Sequence, residues 1–104
     1  MNVTAVTVTG TSALASAAKS RRFLGIYNQS ESDVVYIAFD RPAIAAQTAG
    51  QITLIPLADT TAISSGNGYD IGDNWFEWSG ENLPTNAIYL ISAGTSSPVT
   101  IIEG

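Results

Sequence analysis

The chain has 104 residues, with nine acidic and four basic side chains and a formal net charge of −5. It contains neither cysteine nor histidine, which excludes disulfides, thiolate metal sites and every catalytic arrangement that uses a histidine base. The length predicts a single domain, and the acidic balance argues against binding to the phosphate backbone of a nucleic acid.

The N-terminal residues 1–20 predict a strand or arm that leads into the main domain. Residues 2–9 alternate β-branched and small polar side chains, which favours a strand. The alanine-rich segment 13–20 predicts an extended or irregular crossing, with a single helical turn as the alternative. An arm that orders only against a neighbouring molecule is a further interpretation of these residues.

Residues 21–39 predict a β-hairpin at the start of the main domain, which spans residues 21–104. Leu24 and Ile26 share one face of the first strand, and Val35 and Ile37 share one face of the second. The polar block between the two strands is rich in residues that favour turns. We therefore expect the two strands to be neighbours in one sheet, joined by a loop.

Four further strands are predicted, and each is bounded by turn residues. They lie at residues 51–55, 75–78, 87–91 and 99–102. Glu103 is expected at an exposed end of the last strand. About seven short strands with almost no helix predict an all-β fold, either a single-domain antiparallel β-sandwich or a jelly-roll-like barrel.

The aromatic strand at 75–78 is predicted to have two unlike faces. Phe76 and Trp78 point one way and are expected in the core, whereas Trp75 points the other way and is expected at the surface. The polar segment 58–74 precedes this strand and is longer than most connections, as binding loops often are.

Acidic and amide side chains suggest two kinds of site, and the sequence supports neither. Oxygen ligands for calcium would come from Asn67, Asp70, Asp73 and Asn74, but their spacing lacks the rhythm and terminal glutamate of a calcium loop. A glycosidase pair would come from Asp33, Asp40, Glu77 and Glu81, but nothing brings two of them together. We expect no catalytic residue, no metal and no cofactor.

The composition suits contact with a partner protein, and it is equally typical of β-proteins rich in serine and threonine. Only 12% of residues are charged, against about a quarter in most soluble domains, so little charge has to be desolvated at an interface. Arginine forks match carboxylates, and aromatic side chains anchor interfaces. The candidate partner-binding residues are Lys19, Arg21, Arg22, Tyr69 and Trp75.

Several short motifs occur in an order that resembles a group of small virion proteins of tailed bacteriophages. After Arg21-Arg22 come LGIYN at 24–28, VYIAF at 35–39, GQITL at 50–54, an aromatic strand, LPTNAIY at 83–89 and VTIIEG at 99–104. The resemblance covers residues 20–104. It is to β-sandwich proteins, some of which are capsid cement or decoration proteins.

This resemblance implies a non-enzymatic structural protein that binds the major capsid protein on the outer surface of a phage head. It also implies a homotrimer that is made in the host cytoplasm and located in the virion. The alternatives are a carbohydrate- or receptor-binding fibre or tail module, and a neck or head-completion component. Every apolar run is much shorter than the stretch of about 20 residues that is needed to span a bilayer, so we expect no membrane partner.

Overall fold

The computed structural model describes residues 2–46, 48, 50–57, 70–71, 74–80 and 83–104. Apart from Gly80, which has 3₁₀ geometry, all regular structure in these ranges is β-strand, and the strands form two sheets. The same ranges contain no helix long and apolar enough to cross a membrane. The predicted all-β sandwich is therefore confirmed.

Nine strands lie in the described ranges. They are β1 (Asn2–Val8), β2 (Ala13–Ser16), β3 (Phe23–Asn28), β4 (Val35–Phe39), β5 (Ile52–Leu54), β6 (Asp70–Ile71), β7 (Trp75–Ser79), β8 (Ile88–Ser92) and β9 (Ser97–Glu103). The first sheet has the order β1-β9-β3-β7 and the second has the order β2-β8-β4-β5-β6. All pairs are antiparallel except β5 with the two-residue β6, which is parallel. The seven predicted strands are present, and β2 and β6 are additional.

The N-terminal segment contributes one edge strand to each sheet. β1 pairs with β9 in the first sheet, and β2 pairs with β8 in the second. Of the alternatives left open for residues 13–20, the extended path is the one found over Ala13–Ser16. Its pairing is irregular between Leu14 and Ser16, where the register shifts.

The predicted hairpin of β3 and β4 is wrong, because these strands lie in different sheets. β3 pairs with β7 and β9, whereas β4 pairs with β5 and β8. The side chains of Leu24 and Ile26 are fully buried, and so are those of Val35 and Ile37. All four belong to one core cluster between the sheets. Alternating apolar residues therefore predicted the buried faces correctly, but they do not distinguish neighbours in a sheet from neighbours across the core.

A buried asparagine holds the crossover between the sheets. Asn28 ends β3 with its side chain inaccessible to solvent. Its Nδ2 donates to the carbonyls of Asp33, Leu54 and Ile55, at 2.8, 3.3 and 3.2 Å. Its Oδ1 accepts a hydrogen bond from the backbone N–H of Ser30 at 3.0 Å. One amide at the end of β3 thus satisfies backbone groups of the turn and of the second sheet, which fixes the path of the turn.

The core lies between the two sheets and is aliphatic, with an aromatic group added from β4 and β7. Phe76 and Trp78 point inward, as predicted, and pack against the core. Their rings stack at 4.7 Å, and Trp78 meets Phe39 edge to face at 5.8 Å. Each large apolar side chain buried here contributes about 1.5 to 3 kcal/mol to folding.

Candidate functional site

Arg21, one of the five candidate partner residues, has an internal role. Its side chain is only 1% exposed. All five N–H donors are used: Nε bonds Glu103 at 2.8 Å, and Nη1 and Nη2 bond the Pro84, Asn86 and Ala17 carbonyls and Ser16 Oγ at 3.0 to 3.1 Å. No donor is left for a partner, so Arg21 stabilises the fold instead.

Arg21, Glu103, Lys19 and Ser16 form one polar cluster, with the Glu103 carboxylate at its centre. The expectation that Glu103 lies at an exposed end is wrong. It is buried in β9, which places its carboxylate beside the end of β2. Lys19 Nζ lies 2.9 Å from one carboxylate oxygen, and Ser16 Oγ donates to both at 3.1 Å. The Lys19 side chain is 47% exposed, so its charge also faces solvent. The cluster joins β2, β9 and the segment at 84–86.

Opposing influences set the pKa of Glu103. Burial is the largest of them and raises the pKa of the carboxyl, because the charged form loses hydration. The hydrogen bonds from Arg21, Lys19 and Ser16 stabilise the charged form and together outweigh burial. The pKa of Glu103 therefore lies below its ordinary value of 4.5.

We expect acid to destabilise the protein through Glu103. In the unfolded chain this carboxyl has the higher pKa and binds a proton first, so its contribution is present above the ordinary pKa and is lost as pH falls below 4.5. The midpoint of thermal unfolding, followed by circular dichroism between pH 7 and 3, should fall. The fall should be smaller in Glu103→Gln, even though that variant starts from a lower midpoint.

The matched control for this acid dependence is Glu31→Gln, because Glu31 is exposed. This variant should keep the acid sensitivity of the wild type. Equal falls in the midpoint for Glu103→Gln and the wild type would contradict the prediction.

The surface best suited to a partner is the outer face, which we define as the side of the first sheet that points away from the core. The strand alternation places on it Val3, Ala5, Thr7, Phe23, Gly25, Tyr27, Trp75, Glu77, Ser79, Pro98, Thr100 and Ile102. Within this set Glu77 is the single charged residue. Trp75 is 43% exposed, which confirms the predicted exposure; its contact with a partner stays a prediction.

A tyrosine engages the Glu77 carboxylate. The Tyr27 ring lies over Gly25, where a Cβ atom would come within 2.6 Å of the hydroxyl oxygen, so the absence of a side chain makes room for the ring. The hydroxyl donates a hydrogen bond to Glu77. Burial first, and then the bond to and charge of Glu77, raise the pKa of Tyr27 to about 12. The outer face therefore presents aromatic and small side chains with one partnered carboxylate.

The remaining candidate partner residues are Arg22 and Tyr69. Arg22 is exposed beside the buried Arg21, and Tyr69 lies outside the described residues.

Two of the four residues considered for calcium lie outside the residues that the structure describes. These two are Asn67 and Asp73. For Asp70 the structure describes only the backbone, which belongs to β6. Asn74 donates its amide to the backbone carbonyl of Asn28 at 3.2 Å. Across the described ranges, no three histidine, cysteine or acidic residues come together as a metal site.

The described carboxylates considered for glycoside hydrolysis have separate partners. Asp33 accepts a hydrogen bond from Ser97 Oγ at 3.2 Å. Asp40 accepts one from the backbone N–H of Ala87 at 2.9 Å and another from the Asn86 amide. The bond from Asn86 first, and then that from Ala87, lower the pKa of Asp40. Glu81 lies outside the described residues.

Comparisons with family models, with curated proteins and with solved structures found no match to this chain. The two features that bear on function are therefore the outer face and the order of motifs along the sequence.

Proposed function

We propose that the protein is a non-enzymatic structural component of a phage virion, and that it binds the outside of the head and stabilises it. The observation that carries this proposal is the outer face, which spans all four strands of the first sheet and includes the half-exposed Trp75. A face with so little charge has a low desolvation cost when it meets another protein.

The proposed partner is the major capsid protein. A sandwich with a packed aliphatic core loses little conformational freedom on binding, so weak contacts still yield net affinity. On a shell the same contact is repeated by symmetry, and avidity adds to the strength of each copy. The order of motifs that resembles phage cement proteins supports the same partner, since several of those motifs form strands of the sandwich.

The test uses heads that lack this protein and purified protein that is added back. We expect the added protein to bind the heads and to raise their resistance to heat and dilution. Trp75→Ala should weaken binding, because it removes the exposed aromatic of the outer face. Heads that bind none, or that resist heat equally well without it, would overturn the proposal.

The matched control is Leu57→Ala, which removes another exposed apolar side chain, 45% exposed, but from the segment after β5. This variant should bind heads like the wild type. Both variants should keep the unfolding midpoint of the wild type to within a few degrees, which separates lost binding from lost folding.

A second candidate is a carbohydrate- or receptor-binding module of a fibre or tail. Trp75 favours it, because an exposed indole stacks on sugar rings as well as on proteins. Binding on a glycan array that disappears in Trp75→Ala, together with failure to bind heads, would select this function. Copy number separates the roles further: a cement protein is present in many copies, and a neck or fibre component in few.

A further inference from the structure

In the described ranges, β1 is an edge strand of the first sheet. β1 pairs with β9 in an unbroken register, from Asn2 opposite Glu103 to Val8 opposite Ser97. Within the described part of the chain, no strand pairs with its other side. Successive residues of a strand direct their backbone N–H and C=O groups to alternate sides, so about half of these groups face the free edge.

Among the residues that the structure describes, none of the features that usually prevent strand addition occurs at the free edge of β1. Its sequence, NVTAVTV, contains no charge, no proline and no bulge. Natural proteins protect long edge strands with lysine, proline, bulges or covering loops. At the opposite edge of the same sheet, β7 is shorter and carries Glu77. Of the two edges of the first sheet, β1 is thus better suited to accept another strand.

The two sheets leave an apolar seam at this same edge. β1 and β2 lie on either side of a cavity of about 40 Å³, which is lined by their side chains together with Thr9 and Leu90. Among the large apolar side chains described, the two most exposed are Val3 on β1, at 69%, and Leu14 on β2, at 53%. Covering this edge would remove apolar surface from water.

We propose that β1 pairs antiparallel with β1 of a second copy, about a two-fold axis that passes beside Ala5. In this register Ala5 faces its own copy, Val3 faces Thr7 and Thr4 faces Val6. Asn2 faces Val8 at the two ends, every other pair joins small or β-branched side chains, and no like charges meet, so the strand is complementary to itself. The two first sheets become one continuous sheet of eight strands, since each contributes four.

This contact closes after two copies, because antiparallel pairing of a strand with itself is isologous. It therefore replaces the homotrimer implied by the resemblance. It concerns the molecule in solution and does not depend on binding to a phage head.

A cysteine cross-link tests the register directly. The natural chain has no cysteine, so each single variant carries one thiol. Ala5 is exposed and lies on the proposed axis, so Ala5→Cys should form a disulfide-linked dimer on mild oxidation. Ser79→Cys, also exposed and on the outer face but on the opposite edge strand, is the control and should remain largely monomeric in a denaturing gel. No cross-link at residue 5, or equal cross-linking at residue 79, would overturn the proposal.

A charge exchange tests the same contact without oxidation. Ala5→Lys places two lysines opposite each other and should raise the dissociation constant of the dimer at least tenfold in sedimentation analysis. Mixing Ala5→Lys with Ala5→Glu should restore a dimer that contains one copy of each, whereas Ser79→Lys should leave the wild-type dimer unchanged. A monomeric or trimeric wild type, or a dimer insensitive to Ala5→Lys, would refute the pairing.

Discussion

Replacing Arg21 by alanine is expected to lower the free energy of unfolding by about 3 to 5 kcal/mol, because the buried Glu103 carboxylate loses its fully buried cation and keeps only the half-exposed Lys19. The variant deprives Glu103 of its closest cation and leaves the carbonyls of Ala17, Pro84 and Asn86 without a donor. For a domain of this size the unfolding midpoint should fall by about 15 °C or more. Urea unfolding followed by tryptophan fluorescence measures the change.

The control for Arg21 is its neighbour. Arg22→Ala removes the same charge from an exposed side chain, and we expect a change within about 0.5 kcal/mol. The double variant Arg21→Met/Glu103→Gln has no charge at either buried position. Its free energy of unfolding should therefore be higher than that of Arg21→Ala. An Arg21→Ala variant as stable as Arg22→Ala would show that the cluster is not a structural element.

Replacing Asn28 by aspartate is expected to cost about 3 kcal/mol or more at neutral pH, because a buried charge is introduced without a partner. The change keeps the shape of the side chain but exchanges its NH₂ group for an oxygen. That oxygen would face the carbonyls of Asp33, Leu54 and Ile55, which now accept hydrogen bonds. Thermal unfolding followed by circular dichroism measures the effect.

The penalty at Asn28 should also depend on pH. A protonated aspartate donates one hydrogen bond, so the difference from the wild type should shrink in acid. The adjacent Gln29→Glu variant makes the same amide-to-acid change at an exposed position and should be nearly neutral. A mild effect at Asn28, or one that does not vary with pH, would show that the amide is not needed at the crossover.

Strand positions and buried faces could be predicted from the sequence, because alternation is a local property. Alternation over the four residues 75–78 predicts Phe76 and Trp78 inward and Trp75 outward, and the structure agrees. Strand partners could not be predicted in the same way. The apolar faces of β3 and β4 meet across the core. Two strands paired side by side in one sheet would show the same alternation of apolar residues.

The buried ion pair was missed, although a signal for half of it is present. Val99, Ile101 and Glu103 follow one another at a period of two, which places Glu103 on the face that points into the core. An acid on a buried face requires a cation, but nothing local identifies it. Arg21 lies 82 positions away and is brought to Glu103 only by the pairing of β9 between β1 and β3.

The position of β9 in the first sheet has a consequence for synthesis on the ribosome. β9 is translated after β1 and β3, yet it lies between them. β1 therefore emerges without the strand to which it will pair, and it waits until residues 97–103 have left the exit tunnel. Such long-range pairing slows folding. The nascent chain thus carries an uncharged, β-branched segment without its partner strand until β9 has been made, and we expect this segment to be prone to aggregation until then.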